Sequence, residues 1–103
     1  MLKCFSVYDK KSESFNTPFF APTYGVAVRS FTDLALNRET VVGQHPEDFD
    51  LYCVGSFDDS TGNVAECREY LCNALNRIQI AMAEVQAPTD QISDSSKTEA
   101  PQA

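Results

Sequence analysis

The sequence predicts a small α+β domain: a three-stranded sheet with two helices in the order β-α-β-β-α, followed by a disordered C-terminal tail. Three patterns carry this prediction. Apolar residues alternate over 2–8 and 50–57, recur at three- and four-residue spacing over 24–37 and 68–86, and nearly vanish after 87. With 103 residues, 43% of them hydrophobic, the chain builds one domain, assigned to residues 1–86. A domain of that size buries only about 60–65% of its unfolded surface, so its core is small.

The first strand runs from Leu2 to Tyr8, with Phe5 and Val7 on one side and Leu2, Cys4 and Tyr8 on the other. Apolar groups on both sides predict a strand covered twice. Residues 9–22 read as a loop, because Pro18 and Pro22 interrupt a polar stretch. Thr23 then caps a helix whose buried stripe is Tyr24, Ala27, Val28, Phe31, Leu34 and Ala35, opposite Arg29, Ser30, Asp33 and Asn37. Residues 38–49, with Gly43 and Pro46, read as a connection holding at most a short turn.

Asp50 to Phe57 is the clearest strand, with Leu51, Cys53 and Phe57 on one face and Tyr52 and Val54 on the other. Asp58 to Gly62 supplies turn formers, and a return strand is expected at 63–67. Leu71, Leu75, Ile78, Met82 and Val85 then follow at helical spacing, which predicts a helix over 68–86. Residues 87–103 carry two prolines and little to bury, the composition of a disordered acidic and polar tail.

Fifteen acidic against eight basic side chains give a net charge of −7, which argues against an extended basic face gripping duplex DNA. No apolar run approaches the ~20 residues of a membrane span, and the start has no apolar stretch of signal-peptide length, so a soluble cytosolic protein is expected. Four cysteines, at 4, 53, 67 and 72, lack zinc-site spacing and read as free thiols; no metal or other cofactor is expected. Catalysis would fall on the single histidine, His45, which sits in a Pro-Glu-Asp turn with no group to orient it. No phosphate loop or nucleophile elbow is present, and the chain is expected not to be an enzyme.

Three features point to binding. Lys3, Lys10 and Lys11 precede the loop phenylalanines Phe15, Phe19 and Phe20, the residue types that hold single-stranded nucleic acid, with Arg29 joining them if the helix start lies nearby. Glu47, Asp48, Asp50, Asp58 and Asp59 flank one strand; of these, Glu47, Asp48, Asp58 and Asp59 form a candidate acidic rim for a basic protein partner. The stripe from Leu71 to Val85 serves either the core or a homodimer seam.

The segment QHPEDFDLYCVGSFDDSTG, residues 44–62, resembles the small nonstructural protein of gokushoviruses, single-stranded DNA bacteriophages of the microvirus family. FSVYDKKSESFNTPFFAP and YGVAVRSF resemble the same family, so the likeness spans about residues 3–62. It implies a non-capsid protein of the infected bacterium's cytoplasm, often described as DNA-binding, acting in genome replication or in packaging of single-stranded DNA. The partners implied are single-stranded DNA, or a viral replication or capsid protein. The resemblance assigns no catalytic residues.

Overall fold

The computed structural model describes residues 1–86. The elements are β1 (Leu2–Asp9), β2 (Ser14–Phe15), β3 (Phe19–Ala21), α1 (Tyr24–Leu36), α2 (Val41–Gln44), a 3-10 turn (Pro46–Asp48), β4 (Phe49–Phe57), β5 (Val64–Asn73) and α3 (Ala74–Gln86). They build an antiparallel α+β sheet of five strands rather than three, in the order β2-β1-β4-β5, with β3 on the same edge of β1 as β2. The expected three-stranded sheet and its β-α-β-β-α order are therefore corrected. The tail predicted at 87–103 lies outside the described residues.

The extra strands come from the segment expected to be a loop. Asn16 N–H donates to Val7 O and Ser6 Oγ donates to Asn16 O, so 14–21 follows β1 as one strand broken at Asn16–Pro18. Pro18 has no N–H to give a ladder, and an edge is the place a sheet tolerates it.

On one face, Phe5, Val7, Leu51 and Cys53 pack with Ala27, Phe31 and Ala35 of α1. Phe5, Phe31 and Leu51 are the largest fully buried side chains. Phe5 stacks on Phe19, centroids 5.8 Å apart, and meets the Tyr24 ring edge-on at 5.8 Å. Thr23 caps α1 as expected, its hydroxyl accepting from Val26 N–H. All four cysteines are free, and burial pushes the thiols of Cys4, Cys67 and Cys72 above their ordinary value.

Two further expectations are corrected. Cys4 pairs with Gly55 and Phe5 with Cys53, leaving Val54 as an extra residue in β4. A one-residue bulge reverses the faces beyond it, so Phe57 lies with Leu2 on the side opposite Leu51. Gly55 belongs to the same device: a β-carbon there would stand 2.8 Å from Ala65 O. The return strand runs to Asn73 instead of 67, and the last helix starts at Ala74 instead of 68. Leu71 belongs to β5, so its four-residue spacing to Leu75 joins two different elements.

Asn73 makes that junction. Its Oδ1 accepts from Leu75 and Asn76 N–H at 3.0 and 3.3 Å, while Nδ2 donates to Phe49 O at 3.2 Å and Asp50 Oδ1 at 2.8 Å. A lost helix cap costs about 1 kcal/mol and each of the two lost Nδ2 hydrogen bonds about 1 more, so Asn73→Ala is expected to lower unfolding free energy by roughly 3 kcal/mol. The check is a urea titration, whose midpoint falls while the slope stays unchanged.

Candidate functional site

The helices cover one face of the sheet, and the other lies open. Register puts Leu2, Cys4, Ser6 and Tyr8 of β1 on that open face, with Phe15, Phe20, Tyr52 and Tyr70 paired onto it from the neighbouring strands. The apolar groups on both sides of β1 had predicted a second covering layer. Among the described residues, aromatic side chains stand there instead.

Four of them form a ladder across the sheet. Tyr8 and Phe15 lie 4.8 Å apart, Phe15 and Tyr52 5.3 Å, and Tyr52 and Tyr70 5.8 Å, the last two pairs edge to face. The guanidinium of Arg68 sits over Phe15 at 5.9 Å, within cation–π range. Tyr70 is 54% exposed and Phe15 39%, so ring surface is offered to solvent. Partial desolvation, with Asp50 nearby, raises the Tyr70 phenol above its ordinary value and keeps it a hydrogen-bond donor. At the other end of the open face a smaller pair, Phe20 and Phe57, stands 6.1 Å apart. Between the two lies a trough of about 570 Å³ bounded by Phe15, Asn16, Pro18, Val54, Glu66 and Arg68.

The β1–β2 turn sets cations beside the ladder. Asp9 Oδ1 accepts from Lys11 N–H at 2.9 Å, and Glu13 takes a positive φ of 58° to close the turn. Lys11 is exposed there, and Lys10 reaches Asp50 at 3.7 Å. Lys10, Lys11 and Phe15 are thus brought together. Lys3 and Arg29 are not: Lys3 sits over the Tyr24 ring on the helix side at 5.3 Å, and Arg29 is exposed on α1. The Tyr24 phenol donates to Glu69 at 2.7 Å, a bond that raises its pKa and ties α1 to β5.

The acidic candidates are divided by the length of β4. Glu47 and Asp48 lie in the turn before it, clustered with the exposed His45, whereas Asp58 and Asp59 lie in the turn after it. Nine extended residues span about 30 Å, so the four carboxylates make two ends rather than one rim. Asp58 is engaged in its own turn, accepting from Ser60 N–H and Oγ, and these bonds hold its carboxyl below the usual range. Asp59 meets the N-terminal amine at 3.6 Å. Of the C-terminal seam, Ile78 packs against the core, while Leu75 and Met82 face a groove shared with Leu36.

Sequence reasoning singled out Phe15 but missed Tyr8, Tyr52, Arg68 and Tyr70. The available signal was the aromatic residues on the second faces of the first and second predicted strands.

Fold and site together define a class: an α+β domain with helices on one sheet face and an open, aromatic, cation-edged surface on the other. The chain belongs to the family described as Phage ORF5 protein, which it matches over residues 2–77, and it is a bacteriophage protein. The matched segment takes in all five strands and so the whole open face. No curated protein and no solved structure matches the chain. Among the described residues, no helix is long and apolar enough to cross a membrane.

Proposed function

We propose that this phage protein is a non-enzymatic accessory of viral genome replication or packaging that contacts single-stranded DNA through the open sheet face. The observation that carries this reading is the Tyr8–Phe15–Tyr52–Tyr70 ladder with Arg68 over Phe15, next to the β1–β2 turn that holds Lys10 and Lys11. Unpaired bases have free faces, and stacking each on an aromatic ring contributes about 1–3 kcal/mol whatever the base. Duplex DNA hides those faces and must be held by its phosphates, for which a chain of net charge −7 has few cations. The resemblance to gokushovirus nonstructural proteins supports the same reading, and with it a place in the host bacterial cytoplasm.

This binding has a distinctive salt dependence. Lys10, Lys11 and Arg68 are the cations beside the ladder, and each phosphate neutralised on a single strand contributes about −0.7 to the slope of log affinity against log salt. The expected slope is therefore no steeper than about −2. Fluorescence anisotropy with a labelled single strand across a salt series measures it, and the absence of binding at low salt would overturn the proposal.

A second reading is favoured by one observation. The groove lined by Leu36, Leu75 and Met82, the last 50% exposed, presents apolar surface on the helix side. It suits an adaptor role toward a viral replication or capsid protein, or self-association, better than the divided acidic ends do. Leu75→Asp, expected to leave the fold intact, tests it through the mass measured by light scattering and through pull-down of those two viral proteins.

A further inference from the structure

The trough between the two aromatic ends carries charges that the ladder alone does not need. Phe15, Pro18 and the bulge residue Val54 of β4 form its apolar walls, while Asn16, Glu66 and Arg68 supply polar groups. Its volume of about 570 Å³ lies in the range of small-ligand sites. Much of the polar backbone there is already engaged: Ser6 Oγ donates to Asn16 O at 2.6 Å, and Asn16 N–H donates to Val7 O at 2.8 Å.

The side chains differ in this respect. Among the described residues the ion pairs are the N-terminus with Asp59 and Lys10 with Asp50. Glu66 and Arg68, two positions apart on β5, have no ion partner among them, although they line the same trough. Arg68 is turned toward the Phe15 ring. A site that places an aromatic wall, a cation and a carboxylate around one opening is complementary to a flat ring carrying an anion at one end and N–H donors at the other. A nucleotide has that chemistry, and bases differ in how many donors they present.

We propose that Glu66 makes this trough select bases whose Watson–Crick edge presents N–H donors, guanine before all others and thymine last. The inference rests on the single-stranded DNA reading and adds a specificity to it. Guanine offers N1–H and an N2 amino hydrogen side by side, matching the two oxygens of one carboxylate. Adenine and cytosine each offer one amino group beside a ring acceptor that faces the carboxylate unfavourably. Thymine offers N3–H between two carbonyl oxygens, both repelled by Glu66. Arg68 holds the adjoining phosphate, which fixes the base edge toward Glu66.

The test is anisotropy of the full chain with three labelled octanucleotides: all thymidine, the same with one central deoxyguanosine, and the same with central deoxyinosine, which lacks the N2 amine. The deoxyguanosine strand is expected to bind about tenfold tighter than all-thymidine, with inosine losing most of that gain. Glu66→Gln removes the charge from an exposed edge-strand position and is expected to bind all three strands within about twofold of one another, with the affinity for all-thymidine rising because the repulsion of its carbonyl oxygens is gone. If wild-type protein binds all three strands equally, the selectivity is overturned and the stacking proposal stands. If the guanine gain survives in Glu66→Gln, the assignment to Glu66 is overturned. If no strand binds, both proposals fall together.

Discussion

Tyr52→Ala is expected to weaken binding of short single-stranded DNA by roughly 5- to 150-fold, the loss of one stacked base at about 1–3 kcal/mol. Tyr52 stands at the middle of the ladder, 5.3 Å from Phe15, 5.8 Å from Tyr70 and 6.2 Å from Tyr8. Removing it withdraws one platform and leaves its neighbours without the edge contacts that orient them. Tyr52→Phe keeps the ring and loses only the hydroxyl, so its affinity is expected to stay within about twofold of wild type. Paired anisotropy measurements on the two variants separate stacking from hydrogen bonding at this position. Equal losses in both would show that the hydroxyl, and not the ring, is what the ligand uses. Circular dichroism of Tyr52→Ala confirms that the sheet remains, since the ladder lies outside the buried core.

The largest effect on stability is expected at Phe5. It is fully buried between the sheet and α1, stacked on Phe19 and met edge-on by Tyr24. Phe5→Ala removes that packing and leaves a cavity, at a cost of about 3–5 kcal/mol. Small domains have only about 5–15 kcal/mol in total, and each kcal/mol moves the thermal midpoint by roughly 4–8 °C, so the midpoint is expected to fall by roughly 12 °C or more. Phe5 points away from the open face, so the loss of DNA binding in this variant follows the unfolded fraction and is restored by cooling. Thermal melting and anisotropy at two temperatures test both parts. A variant that stays folded but no longer binds in the cold would mean that the helix side contributes to the site.

What could be read from the sequence was local. Of the α1 stripe, Ala27, Phe31 and Ala35 are buried and Val28 packs against the core, whereas Tyr24 and Leu34 are exposed; the Thr23 cap, set by the same local spacing, is found where expected. The strand around Leu51 and Cys53 was legible for the same reason. What escaped depends on partners distant in the chain. β2 and β3 are two and three residues long and carry no periodicity; they are strands because β1 offers its edge to them. The extra residue at Val54 is visible only as a mismatch between two paired strands, and it is what brings Phe57 to the open face. Leu71 and Leu75 mimic one helix because a strand end and a helix start happen to continue the spacing.

The candidate site was legible to the same degree. Lys10, Lys11 and Phe15 were recognisable because cations and aromatics follow one another in a single segment. Lys3 shares that composition but faces the other way, as alternation along β1 dictates. Tyr52 and Tyr70 lie 18 positions apart and become neighbours only through the β4–β5 register. Strand order therefore decides the site, and no local pattern encodes it.

The most direct measurement is an NMR titration of the isotopically labelled full chain with a short unpaired DNA strand, followed amide by amide. Binding at the open face shifts the resonances of Tyr8, Phe15, Tyr52, Arg68 and Tyr70 together, with those of α1 and α3 staying in place. Shifts confined to Leu36, Leu75 and Met82, or none at all with DNA in excess, would contradict an aromatic sheet surface as the place where this phage protein holds its ligand.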